Sequence, residues 1–116
     1  MIKPGSILEV KKINLIHNYK ILSKYSKNSL TGATIKADAY GLGDIETFRI
    51  LYNAGCKHFF LATFYEAIRI RKIYSQGFLY ILNGINKENI KIILKEKNIV
   101  PIINSIDQLK LLNKHK

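Results

Sequence analysis

The chain has 116 residues, 47% of them hydrophobic and 23% charged, which is the composition of one core-forming domain and excludes a disordered tail. Nineteen Lys and Arg against eight Asp and Glu give a net charge of +11. The excess is mostly lysine and comes with abundant Ile and Asn, so it reads as compositional drift rather than as a set of phosphate contacts, and no nucleic-acid partner is expected.

One cysteine, Cys56, excludes an internal disulfide and any multi-cysteine zinc site. No apolar run approaches the roughly 18 residues that cross a bilayer, and Met1-Ile2-Lys3-Pro4-Gly5 lacks the apolar stretch of a signal peptide. A cytoplasmic protein without membrane contact is expected.

Along the chain, strand-like and helix-like apolar periods alternate. Ser6 to Val10 reads as a short strand. A helix follows from about Lys12 to Tyr25, with Ile13, Ile16, Tyr19, Leu22 and Tyr25 at helical spacing. Ala33 to Lys36 is a second strand. Asp38 to Gly43 reads as a loop, because Gly41 and Gly43 disfavour both regular structures. The next helix runs from about Asp44, read as its N-cap, to Ala54, with Gly55 as the stop.

Three more units follow. His58 to Ala62 is a strand and Tyr65 to Ser75 a helix; Phe78 to Leu82 is a strand and Lys87 to Lys97 a helix. Ile99 to Ile103 is the last strand, and Ser105 with Gln108 predicts a capping box for a helix ending near Asn113. Strands separated by helices must lie parallel, and their near-continuous apolar runs predict a sheet covered on both faces. The fold class is α/β, either an open doubly wound sheet or part of a (β/α)8 barrel; a full barrel takes about 250 residues, so a barrel would be the first half of one.

The unusual local feature is Lys36-Ala37-Asp38-Ala39-Tyr40-Gly41-Leu42-Gly43, beginning at the carboxyl end of a strand, where α/β folds build their sites. Lysine presented beside an apolar core suits attack on a carbonyl and Schiff-base formation. Tyr40, four residues on, offers a phenol within reach of a phosphate, and the glycines let backbone approach an anion. Neither the P-loop nor the dinucleotide fingerprint is present.

This octapeptide resembles the pyridoxal-phosphate signature of alanine racemases. The flanking blocks are similar to that family in order and spacing: Glu9-Val10 with His17-Asn18-Tyr19, then Gly55, Phe60-Leu61-Ala62, Glu66-Ala67 and Ile70-Arg71, then Leu79 to Leu82 with Asn83-Gly84. The resemblance implies the first half of a (β/α)8 barrel, with residues 1–116 as a partial cofactor-binding domain. It implies that Lys36 holds pyridoxal 5'-phosphate covalently and moves the α-proton on one face of the substrate, that Tyr40 contacts the cofactor phosphate, and that Leu82 lies near the cofactor. The implied activity is interconversion of L- and D-alanine for peptidoglycan synthesis.

Racemisation needs a second base on the opposite face. In the family it is a tyrosine from the partner subunit's C-terminal β-domain, and nothing here corresponds to that domain, to the arginine facing the cofactor's ring nitrogen, or to the Met-Asp-Thr-Gly-Met type segment expected soon after residue 116. The expectation is a chain inactive alone, completed within a homodimer or by a separately encoded C-terminal half, with exposed sheet edges that favour association. Leu42 replaces the family's usual histidine, and Lys11-Lys12 its usual Asp-Leu.

Two alternatives stand beside this reading. One is a non-catalytic basic module binding an acidic partner; the other is a different pyridoxal-phosphate enzyme of the fold, such as another racemase or a D-threonine aldolase. His17 and His58 lack ligand company, so no metal is expected. Glu66 reads as stabilising its helix start. Tyr19, Tyr25, Phe59, Phe60, Phe64 and Phe78 read as core or interface aromatics, and Cys56 as a buried thiol.

Overall fold

The structure is a computed structural model and describes residues 2–116. Four strands, β1 (Ala33–Thr34), β2 (His58–Leu61), β3 (Phe78–Ile81) and β4 (Ile99–Pro101), form one parallel sheet in the order β1-β2-β3-β4. Thr34 pairs with Phe60, Phe60 with Tyr80 and Tyr80 with Val100, so one register row crosses the whole sheet.

Strand alternation then sorts the side chains. Phe59, Leu61, Leu79 and Ile81 are buried on one face, while His58, Phe60, Tyr80 and Val100 on the other are only half-buried. The helices α1 (Lys12–Tyr25), α3 (Asp44–Asn53), α4 (Phe64–Arg71), α5 (Ile90–Ile93) and α6 (Ile106–His115) contribute to a single core. Phe48 of α3 lies with its ring 4.4 Å from that of Phe59, and the same core takes in Ala67 and Ile70 of α4 and Ile90 and Ile93 of α5.

Sequential strand order with one covered face is the curl of a barrel and lacks the order reversal of a doubly wound sheet, which decides between the two architectures. It also corrects the expectation of a sheet covered on both faces. The radius of gyration is 16.3 Å, against about 13 Å for a compact domain of this length; the plate is open on its inner face.

Several elements differ from the sequence reading, and β1, β4 and α4 are each shorter than expected. Ser6 to Val10 pairs with no strand, and Ile7 and Leu8 are exposed. The helix expected over 87–97 contracts to α5, because Asn86 Oδ1 accepts from the Glu88 and Asn89 N–H groups and holds the chain in a side-chain turn. Ser105 Oγ accepts from the Gln108 N–H as expected, but Gln108 Oε1 accepts from Asn104 rather than from the cap residue, so only half of the capping box forms. Tyr25, expected in the core or at an interface, is exposed.

Candidate functional site

The segment after β1 is a left-handed turn, not the loop expected from its glycines. In α2 (Lys36–Tyr40), Ala37, Asp38 and Ala39 have φ of 52–55° and ψ of 42–49°, and Tyr40 continues at φ 54°. L-residues lose about 1–2 kcal/mol each in this region, so four in succession cost about 4–8 kcal/mol, a large share of a small domain's stability. Such strain persists only where surrounding contacts over-determine it, and it clusters at functional sites.

Those contacts are present. Ile35 and Ala39 anchor the two ends in the core, and the Ala39 N–H donates to Ile35 O at 2.9 Å. The Gly41 N–H closes the turn on Ala37 O at 3.3 Å, and Gly41 and Gly43, at φ 91° and 93°, take the backbone out of it. Asp38 Oδ1 accepts from the Asp44 N–H at 3.0 Å, joining the turn to the start of α3. Glu66 Oε1 accepts from the Ala37 N–H at 3.0 Å, joining it to α4.

The turn presents Lys36 half-buried at the carboxyl edge of the sheet, with no carboxylate paired to it among the described residues. Tyr40 is exposed, and its phenol makes no hydrogen bond among the described residues. Two residues past the Thr34–Phe60–Tyr80 row come Lys36, Ala62 and Leu82, so the ladder brings Leu82 to the same edge as Lys36. Leu82 is half-buried, and its N–H donates to Leu61 O at 2.8 Å. Lys36, Tyr40 and Leu82 therefore share one end of the sheet.

Asp44 is not the N-cap: Gly43 is, and Asp44 is the first helical residue, buried at 1% exposure. Burial pushes its carboxyl above the usual range; the Arg69 guanidinium at 3.5 Å only partly offsets this, and Asp38 reinforces the rise. Burial likewise pushes the Cys56 thiol up, and its Sγ lies 3.3 Å from His58 O, as an inert core thiol does. His58 is engaged by Tyr80, Nδ1 to Oη at 2.8 Å, and no cluster of His, Cys, Asp or Glu among the described residues could hold a metal.

Glu66 is the residue whose role the sequence understates. It forms a full capping box with Thr63, and its reach to Ala37 is additional. The Thr-x-x-Glu spacing announces the box; nothing local announces a contact 29 residues away.

A family model described as "Alanine racemase, N-terminal domain" matches residues 10–116. The chain belongs to this family. A catabolic alanine racemase of Rhizobium johnstonii is 42% identical over 92 residues, covering 78% of this chain and 24% of the relative. The alanine racemase of Rickettsia prowazekii is 32% identical over 108 residues, covering 92% of this chain and 26% of the relative. This chain thus spans about a quarter of the length of the curated alanine racemases it matches.

Among solved structures, the alanine racemase of Bartonella henselae, described with covalently bound pyridoxal phosphate, superposes with a TM-score of 0.85 at 26% identity, over 91% of this chain and 31% of that one. The alanine racemase of Acinetobacter baumannii, at 23% identity and a TM-score of 0.79, shares the fold. The one-sided parallel sheet described above is thus the alanine racemase barrel architecture. No helix among the described residues is long and apolar enough to cross a membrane.

Proposed function

We propose that this chain is the cofactor-lysine portion of a pyridoxal-phosphate-dependent amino-acid racemase that interconverts L- and D-alanine in the cytoplasm, for peptidoglycan synthesis. The observation that carries the reading is the Lys36 amine, half-buried at the carboxyl edge of the sheet, unpaired, on a turn whose left-handed strain is held by contacts from two helices.

The residues present fit the aldehyde and phosphate ends of the cofactor: a free amine at Lys36, a free phenol at Tyr40, and open space around Gly41 and Gly43, where an added Cβ would meet nothing within 4 Å. Bound pyridoxal phosphate supplies an electron sink for charge developing at the substrate α-carbon. Lys36 Nζ holds the cofactor and, once released, takes or returns the α-proton on one face. Tyr40 Oη holds the phosphate, and Leu82 supplies apolar packing beside it.

The opposite face needs a second base, and no residue at this edge is placed to serve as one. A homodimer partner would supply it, so residues 1–116 by themselves are expected to bind cofactor without racemising alanine. The test is to incubate the chain with pyridoxal phosphate, reduce with borohydride and map the modified peptide. An adduct on Lys36 is the expected result; adducts on other lysines with Lys36 unmodified overturn the reading.

A further inference from the structure

We propose that Glu66 is a positioning residue for Lys36: its carboxylate locks the left-handed turn that presents the amine onto the start of α4. This rests on the reading of Lys36 as the cofactor amine. The geometry divides the two carboxylate oxygens between two segments. Oε2 accepts from the Ala62 N–H at 2.7 Å and the Thr63 N–H at 3.0 Å, both at the end of β2. Oε1 accepts from the Ala37 N–H at 3.0 Å, the peptide that directly follows Lys36.

An ordinary capping box uses the glutamate only to reach back to its own N-cap amide. Glu66 does that and also fixes the neighbouring strand's exit. The bond falls at the first residue with positive φ, where the backbone leaves the extended path of β1 and enters the strained turn. Release of the Ala37 N–H removes the only side-chain acceptor at that entry among the described residues, while the Asp38–Asp44 contact holds the exit. The Lys36 amine is then free to wander from the edge it shares with Leu82.

Glutamine cannot substitute. It has one carbonyl oxygen, and its NH2 would face either the Ala37 N–H or the pair from Ala62 and Thr63, donor against donor. Thr63 offers the matching control, because its hydroxyl accepts from the Glu66 N–H at 3.3 Å and so caps α4 without touching Ala37.

The experiment measures amide hydrogen exchange of Ala37 in the full chain and, in parallel, the rate of borohydride trapping of pyridoxal phosphate at Lys36. Glu66→Gln is expected to speed Ala37 exchange at least about tenfold and slow Lys36 trapping at least about fivefold. Thr63→Ala is expected to speed exchange in α4 while leaving both Lys36 readouts within about twofold of the unaltered chain. Unchanged Ala37 exchange in Glu66→Gln, or equal acceleration in Thr63→Ala, overturns the proposal. Should Glu66→Gln fail to fold, Glu66→Asp keeps the charge but is a methylene short of spanning both segments, and it must still unprotect Ala37 if the proposal holds. Failure of the unaltered chain to trap cofactor at Lys36 overturns the cofactor reading alone, and Ala37 exchange then decides the role of Glu66.

Discussion

Asp44 shows how the turn is held at some expense to the fold. Burial chiefly raises the pKa of its carboxyl above the ordinary value for aspartate, so the folded chain binds this proton more tightly than the unfolded chain does. Between that value and the raised one the folded state carries the extra proton, and stability falls as pH climbs through the window. Asp44→Asn removes the buried charge, and its amide can still accept from the Ile45 N–H, now at 2.8 Å to Oδ1. The expected outcome is a higher urea midpoint at pH 7 and a flatter midpoint-against-pH curve above pH 4; an unchanged curve would show that Asp44 does not contribute to it. At this scale Lys36 and Tyr40 stand out in the sequence because they share a contiguous motif, whereas Leu82 enters only through the family resemblance. The buried state of Asp44 and the second bond of Glu66 do not stand out, since both depend on which distant helix packs against the turn.

Among the elements, α4 and its exit carry more of the structure than their length suggests. Arg71, in the last turn, donates to Tyr74 O at 3.2 Å, Gln76 O at 2.8 Å, Gly77 O at 3.1 Å and Asn98 O at 3.3 Å, so one guanidinium satisfies the loop into β3 and the entry to β4. Lysine has a single ammonium and cannot span four carbonyls in a fixed fork. Arg71→Lys is therefore expected to lower unfolding free energy by about 2 kcal/mol, read from urea titration; a loss within experimental error would show that water replaces the guanidinium without penalty. β2, β3 and the helix α3 were readable from periodicity because burial on one face imposes it; α1 and α6 show helical spacing although neither buries a residue fully. The left-handed turn was not readable: its glycines signal an irregular path, whereas its handedness is fixed by Ile35 and Ala39 being drawn into the core and by the Asp38 and Glu66 contacts. Ser6 to Val10 has strand-forming residues without a neighbouring strand to pair with, and composition alone does not reveal that lack.

For the molecule as a whole, the sequential sheet leaves its inner face to solvent and the outer edges of β1 and β4 unpaired among the described residues. Unpaired edges and half-buried aromatics such as Phe60 and Tyr80 favour association. Sedimentation velocity over a concentration series is expected to show reversible self-association, and a concentration-independent monomer would contradict it. The barrel character was legible from the β/α rhythm, but the choice against a doubly wound sheet needed the strand order, which no local pattern encodes. Lys36 is one of sixteen lysines, and whether the fold singles it out is measured most directly by comparing borohydride trapping of pyridoxal phosphate in the native chain and in the urea-unfolded chain. Modification concentrated on Lys36 in the native chain and spread over many lysines in the unfolded one is the expected result; the same spread in both would contradict it.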